Sequence, residues 1–140
     1  MQFFLLLALL STSGWSAVQD LEVKLTGLKS TKGYVLYLVF SSEKGFPGDA
    51  TKSVKSGKIK ASEAKQGFLI QDLVPGQYAL TITHDENNNG KLDTNIVGMP
   101  KEGFGFSKNP KITIGAPDFA KCRFDSGELR EISVKLNHFL

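Results

Sequence analysis

Apolar and polar residues alternate over several short segments of the chain, which predicts β-strands with one buried and one exposed face. Leu21, Val23 and Leu25 alternate with polar residues, and the same period recurs over residues 78–83 and 131–136. Residues 34–40 are apolar throughout, as is typical of a central strand covered on both faces. Residues 67–73 predict a further strand, and Ile59 between two lysines predicts a short edge strand.

Turn residues separate these segments and indicate the fold class. Val74-Pro75-Gly76-Gln77 predicts a tight turn, because proline presets φ and glycine permits a positive φ. No segment has the apolar spacing of an amphipathic helix. We therefore predict an all-β fold, a single antiparallel β-sandwich of about seven strands with one long ordered loop.

The long loop is predicted from Asp85 to about Asn109, where Asn, Gly and charged residues replace the strand pattern. Long connections without regular structure are usually functional or disordered. Met99, Phe104 and Phe106 argue against disorder, because their side chains can pack beneath the loop.

The first 17 residues have the features of a secretory signal peptide. The apolar run over residues 3–10 is too short to span a bilayer, and small residues follow it. We therefore expect a signal peptide at residues 1–17 and a β-sandwich domain at residues 18–140. The mature chain contains no second long apolar run, so we expect no transmembrane segment and a periplasmic or secreted location.

Composition narrows the partners that this domain could have. The 140 residues carry a formal charge of +3, but the lysines are scattered among acidic residues and arginine is scarce. Because nucleic-acid readout favours arginine forks, nucleic acid is not an expected partner. The single cysteine, Cys122, excludes an internal disulfide and is expected as a small buried residue, which would share a face with Ala120 and Phe124 if its segment is a strand. We expect a monomer.

Residues 85–93 have the spacing of a calcium-binding loop. Asp85, Asn87 and Asn89 stand at loop positions one, three and five, and Gly90 permits the sharp turn at position six. The Lys91 carbonyl would be the ligand at position seven, and Asp93 stands at position nine. Calcium prefers such hard oxygen ligands. The candidate metal ligands are therefore Asp85, Asn87, Asn89, Lys91 and Asp93.

The match to a calcium loop fails at its last position. Ile96 stands where an EF-hand carries a bidentate glutamate, and no helical pattern flanks the loop. Glu102 or water could supply the missing ligand, and the expected affinity is weak. The alternative is a tight turn without metal, in which Asx side chains bond their own backbone.

Several segments together resemble a family of small exported bacterial proteins, domain of unknown function family 2141. The most specific are His84–Asn95 (HDENNNGKLDTN) and Gly98–Ser107 (GMPKEGFGFS). Gly45-Phe46-Pro47, Leu73–Ala79 and Gly115–Phe119 extend the match over nearly the whole mature chain. The Pro-Gly-x-Tyr turn is also similar to that of transthyretin-like and carboxypeptidase-regulatory sandwiches, so the expected sandwich is Ig-like or transthyretin-like by fold analogy only.

These observations favour a non-catalytic exported module with a structural calcium loop, whose partner is an unidentified envelope protein or glycan. The first alternative is a hydrolase or small-ligand-binding enzyme that uses the 85–107 loop. The second is a structural accessory domain without metal. His84 and His138 are the only histidines, and no zinc-binding spacing or nucleophile elbow is present.

Overall fold

Eight β-strands, two single-turn α-helices and one 3₁₀ helix (Ala50–Lys52) make up the computed structural model, which describes residues 17–140. The strands are β1 (Gln19–Thr26), β2 (Tyr34–Phe40), β3 (Lys55–Lys60), β4 (Phe68–Leu73), β5 (Gln77–Asp85), β6 (Phe104–Phe106), β7 (Phe124–Asp125) and β8 (Glu131–Lys135). The α-helices are α1 (Ala61–Ala64) and α2 (Phe119–Cys122). The predicted signal peptide lies outside the described residues except for Ala17. Within the described range, no helix is long and apolar enough to cross a membrane.

The strands form two sheets, and the predicted all-β sandwich is confirmed. The smaller sheet has the order β4-β1-β8, and the larger has the order β3-β2-β5-β6, with β7 pairing with the first residues of β5. β2 spans the predicted residues, and β3 is the predicted edge strand. The prediction of a wholly antiparallel sandwich was wrong at one pair, because β1 and β8 run parallel.

The main core fills the space between the sheets. Val35 and Val39 of β2 lie on the inner side of the larger sheet together with Leu80 and Ile82 of β5, and all four are buried. They pack with buried residues of the smaller sheet, such as Val23. Because side chains alternate between the faces of a strand, the intervening residues of β2 and β5 lie on the outer face of the larger sheet.

The outer face of the larger sheet carries a second, smaller apolar cluster. Its buried members are Ala79, Phe104, Phe106 and Cys122. Phe46 packs against this cluster and meets the ring of Phe106 at a centroid distance of 6.1 Å. As predicted, the two Phe rings of the long loop are buried. They lie in β6, however, which divides the predicted loop in two.

Cys122 ends helix α2, so its segment is not the strand that the sequence analysis considered. A four-residue helix is too short to give an apolar period in the sequence. The prediction of burial is confirmed, since the side chain has no solvent exposure. Burial raises the pKa of the Cys122 thiol to about 11, and the nearby Asp118 carboxylate adds to this effect.

We predict that Cys122 makes folding stability fall in alkaline solution. Because the thiol pKa is higher in the folded state than its ordinary 9.0, the contribution is complete below pH 9 and is lost as pH rises through about 11. Between pH 7 and 10.5, the wild type should lose about 2 kcal/mol more free energy of unfolding than Cys122→Ala. Urea unfolding at both pH values tests this, and equal losses would show that the thiol is accessible.

Candidate metal-binding loop and apolar cleft

The loop after β5 begins at Asp85, whose side chain is fully buried. Its carboxylate oxygens accept hydrogen bonds from the backbone N–H groups of Asn89 and Gly90, at 3.0 and 2.8 Å. Gly90 has a φ of +80°, a left-handed conformation that glycine adopts at little cost. Asp85 thereby closes the turn from its first position.

Two of the other predicted ligands, Asn87 and Asn89, converge on Asp93. The side-chain amides of Asn87 and Asn89 each donate to one Asp93 carboxylate oxygen, both at 2.6 Å. The hydrogen bonds from Asn89 and then Asn87 lower the pKa of Asp93, and the positive charges of Lys91 and Lys101 act in the same direction. This carboxylate therefore stays ionised in all but strongly acidic solution.

Glu102 follows the turn in the chain and joins its two ends through hydrogen bonds. The carboxylate is largely buried, and its two oxygens accept the backbone N–H groups of Glu86 and Asp93, each at 3.1 Å. Glu102 thus lies against the turn, as the sequence suggested for a replacement ligand. The observed contacts give it a structural role between the two ends of the turn.

The donor set of the turn fits calcium if both asparagine amides rotate. Rotation by 180° exchanges the amide nitrogen and oxygen, so Asn87 and Asn89 can present oxygens where they now present N–H groups. Asp85 and Asp93 would complete four side-chain donors, and the Lys91 carbonyl and water would supply the remainder. Within residues 17–140, no group of three or more His, Cys, Asp or Glu side chains could hold a metal, so the amides are essential to this site.

His84 lies on the inner face of β5 and has no solvent exposure. Its Nε2 atom is 2.8 Å from the Lys32 carbonyl oxygen, and its Nδ1 atom lies 3.7 Å from Glu86 Oε1, too far for a hydrogen bond. A hydrolase that used the loop would need His84 or Glu102 beside a hydroxyl in an open cavity. Neither His84 nor Glu102 lines the cavity that residues 17–140 form beside this loop.

An apolar cleft of about 830 Å³ lies on the outer face of the larger sheet, next to the candidate metal turn. Its floor consists of cross-strand partners, in which Leu36 faces Thr83 and Leu38 faces Thr81. The walls come from three loops and a residue near the end of the chain. They comprise Pro47, Gly48 and Ala50, then Gly90–Leu92 and Val97–Pro100, and finally Ile112–Ala116 and Phe139.

Lys91 is the only charged side chain along the walls and floor formed by residues 17–140. Among the lining residues, Val97 and Ile114 are apolar but largely exposed, at 74% and 96%, so they lie at the entrance. Our sequence interpretation missed the cleft. The available signal was the sequence of β2, which is apolar on both faces, so that its outer face also needed cover.

These features define a class of small β-sandwich in which an Asx-rich turn forms one wall of an apolar cleft. The chain belongs to the family described as "Uncharacterized protein conserved in bacteria (DUF2141)", whose profile matches residues 23–133. The resemblance drawn from the sequence is therefore confirmed. We found no significant match to the chain among curated proteins or among solved structures.

Proposed function

We propose that this chain is a non-catalytic, exported binding module in which a structural calcium ion holds the loop beside the apolar cleft. The observation that carries the proposal is the position of residues 90–92, which belong to the candidate calcium turn and also line the cleft. A calcium ion that orders the turn would therefore maintain the shape of one wall of the cleft. The signal-like residues 1–17 support a periplasmic or secreted location.

The burial of Asp85 supports a cation at the turn. A buried carboxylate is costly unless it is paired or fully hydrogen-bonded, and the structure gives Asp85 two backbone N–H donors and no ion pair among the described residues. Asp93 adds a second carboxylate to the same turn. A divalent cation would reduce the repulsion between these charges and use the oxygen lone pairs that the N–H groups leave free.

The cleft supports a binding role. Ligand cavities typically enclose about 300–1,000 Å³ and are lined mainly by apolar side chains with a few polar groups. The observed cleft has this size and character. An envelope protein or glycan remains our expectation for a macromolecular partner.

We predict that calcium raises the melting temperature of the mature protein. The expected dissociation constant is about 0.1–1 mM, the range of extracellular modules. At ten times that concentration, binding adds about 1.4 kcal/mol of stability, which corresponds to roughly 3–7 °C for a domain of this size. Magnesium should have a much smaller effect, because it requires a tighter octahedral cage. Calorimetric titration and thermal unfolding, in calcium and in chelator, measure both quantities.

Two variants separate metal binding from loop structure. Asp93→Asn keeps the shape of a half-buried side chain but removes a ligand charge, so it should abolish the calcium-dependent shift. Glu86→Ala changes the adjacent charge at loop position two, which is not a ligand position, and should retain the shift. If calcium and chelator give the same melting temperature in the wild type, the loop is a turn without metal. The accessory-domain alternative would then be preferred.

A further inference from the structure

We propose that the cleft binds a single-chain anionic amphiphile, a molecule with one apolar chain and one acidic head group such as a free fatty acid, with the head group beside Lys91. This inference rests on the proposed binding function of the cleft, which it makes chemically specific. It requires no particular metal affinity.

The floor and walls of the cleft select an apolar chain. Leu36, Leu38 and Phe104 lie along the floor, while Leu92 and Ile112 line the walls. The hydroxyl groups of Thr81, Thr83 and Thr113 are the main uncharged polar side-chain groups in the lining. A glycan would need many more donors and acceptors than these, because each buried sugar hydroxyl must be matched.

The charges at the cleft select an anion. Lys91 is the one charged residue in the lining, and no acidic side chain among the described residues lines the cleft. An acidic head group beside Lys91 would therefore meet a positive charge, whereas a cationic head group would meet repulsion. This charge complementarity distinguishes an acidic amphiphile from a neutral one.

The entrance accounts for how an amphiphile would enter. Val97 and Ile114 line the cleft from two different loops, and both are more than 70% exposed. These exposed apolar side chains at the entrance can contact the apolar chain of the ligand as it leaves water. The position of Lys91, in the turn that forms one wall, would keep the head group at the side of the cleft near the candidate metal turn.

The candidate metal turn adds a coupling that can be measured. Lys91 stands two residues before Asp93 in the same turn. If calcium binds Asp93, it neutralises a negative charge that is close to Lys91 in the chain. The acidic ligand should then bind more tightly in calcium than in chelator, and an uncharged ligand should not change.

The test measures displacement of an uncharged apolar dye, Nile red, by dodecanoate and by 1-dodecanol below their aggregation concentrations. Wild-type protein should bind dodecanoate about fivefold more tightly than dodecanol, as expected for one partly exposed charge pair. Lys91→Met should remove that preference and leave dodecanol affinity unchanged. Lys111→Met is the matched control, since Lys111 lies on the far side of the 112–116 segment, outside the cleft.

A variant that fills the cleft completes the experiment. Ala50 is an exposed wall residue, so Ala50→Trp should displace both ligands without disturbing either core, and its melting temperature checks that it folds.

Equal wild-type affinities for acid and alcohol would overturn the anionic assignment and leave an apolar binding module. Loss of the preference in Lys111→Met but not in Lys91→Met would also overturn it. If neither ligand binds, or if light scattering shows a dimer that excludes both, the binding function itself fails.

Discussion

Gly33→Ala should destabilise the fold by about 3–5 kcal/mol and lower the melting temperature by at least about 10 °C. Gly33 has a φ of +69°, and a Cβ atom there would lie 2.2 Å from the Asp85 carbonyl oxygen and 2.7 Å from Glu86 Cα. Both are backbone atoms at the start of the candidate metal turn. Left-handed backbone strain of about 1–2 kcal/mol adds to the cost of moving that segment.

The matched control is Gly98→Ala. Gly98 has a similar φ of +83°, but a Cβ atom at this position would have no neighbour within 4 Å. Only the backbone strain applies, so the expected loss is about 1 kcal/mol. Urea unfolding of both variants measures the difference, and equal losses would mean that the contact between Gly33 and Asp85 is easily relaxed.

Glu102→Ala should cost about 2–4 kcal/mol and loosen the whole turn. The substitution removes two charge-assisted hydrogen bonds, each of which typically contributes about 1.5–3 kcal/mol before water compensates the freed N–H groups. Those N–H groups belong to Glu86 and Asp93, at opposite ends of the turn. We therefore expect faster hydrogen exchange at both amides, together with a lower urea midpoint.

Two comparisons test whether Glu102 joins the two ends of the turn in this way. Glu102→Gln keeps one acceptor oxygen but places an N–H₂ group against the second backbone donor, so its cost should be intermediate. Glu128 is exposed, and Glu128→Ala should change stability by less than about 0.5 kcal/mol. If Glu102→Ala resembles Glu128→Ala, water replaces the Glu102 carboxylate and the turn is held by its own Asx bonds.

The strands of the fold could be predicted from the sequence because period-two alternation is a local property. β2 was predicted at its observed boundaries, and β4 and β5 were predicted to within a few residues. The parallel pairing of β1 with β8 could not be predicted in this way. Alternation specifies which face of a strand is buried but not which strand lies beside it or in which direction.

The turn could be predicted to bring its side chains together, because Asp85, Asn87, Asn89 and Asp93 are close in sequence. The cleft could not be predicted, since its walls come from segments as distant as Pro47 and Phe139. The contacts of Glu102 were only partly predicted. Glu102 was expected near the loop as a replacement ligand, whereas its bonds to two backbone N–H groups depend on how the chain returns toward β6.

The parallel pair also determines when the smaller sheet can form. β1 is the central strand of that sheet, and its contacts with β8 join residues about 110 positions apart in the chain. Until residues 131–135 are available, β1 can pair only with β4 and leaves one edge open. Contacts this distant slow folding, so the smaller sheet should be completed only after residues 131–135 have been synthesised, whereas the strands of the larger sheet can pair earlier.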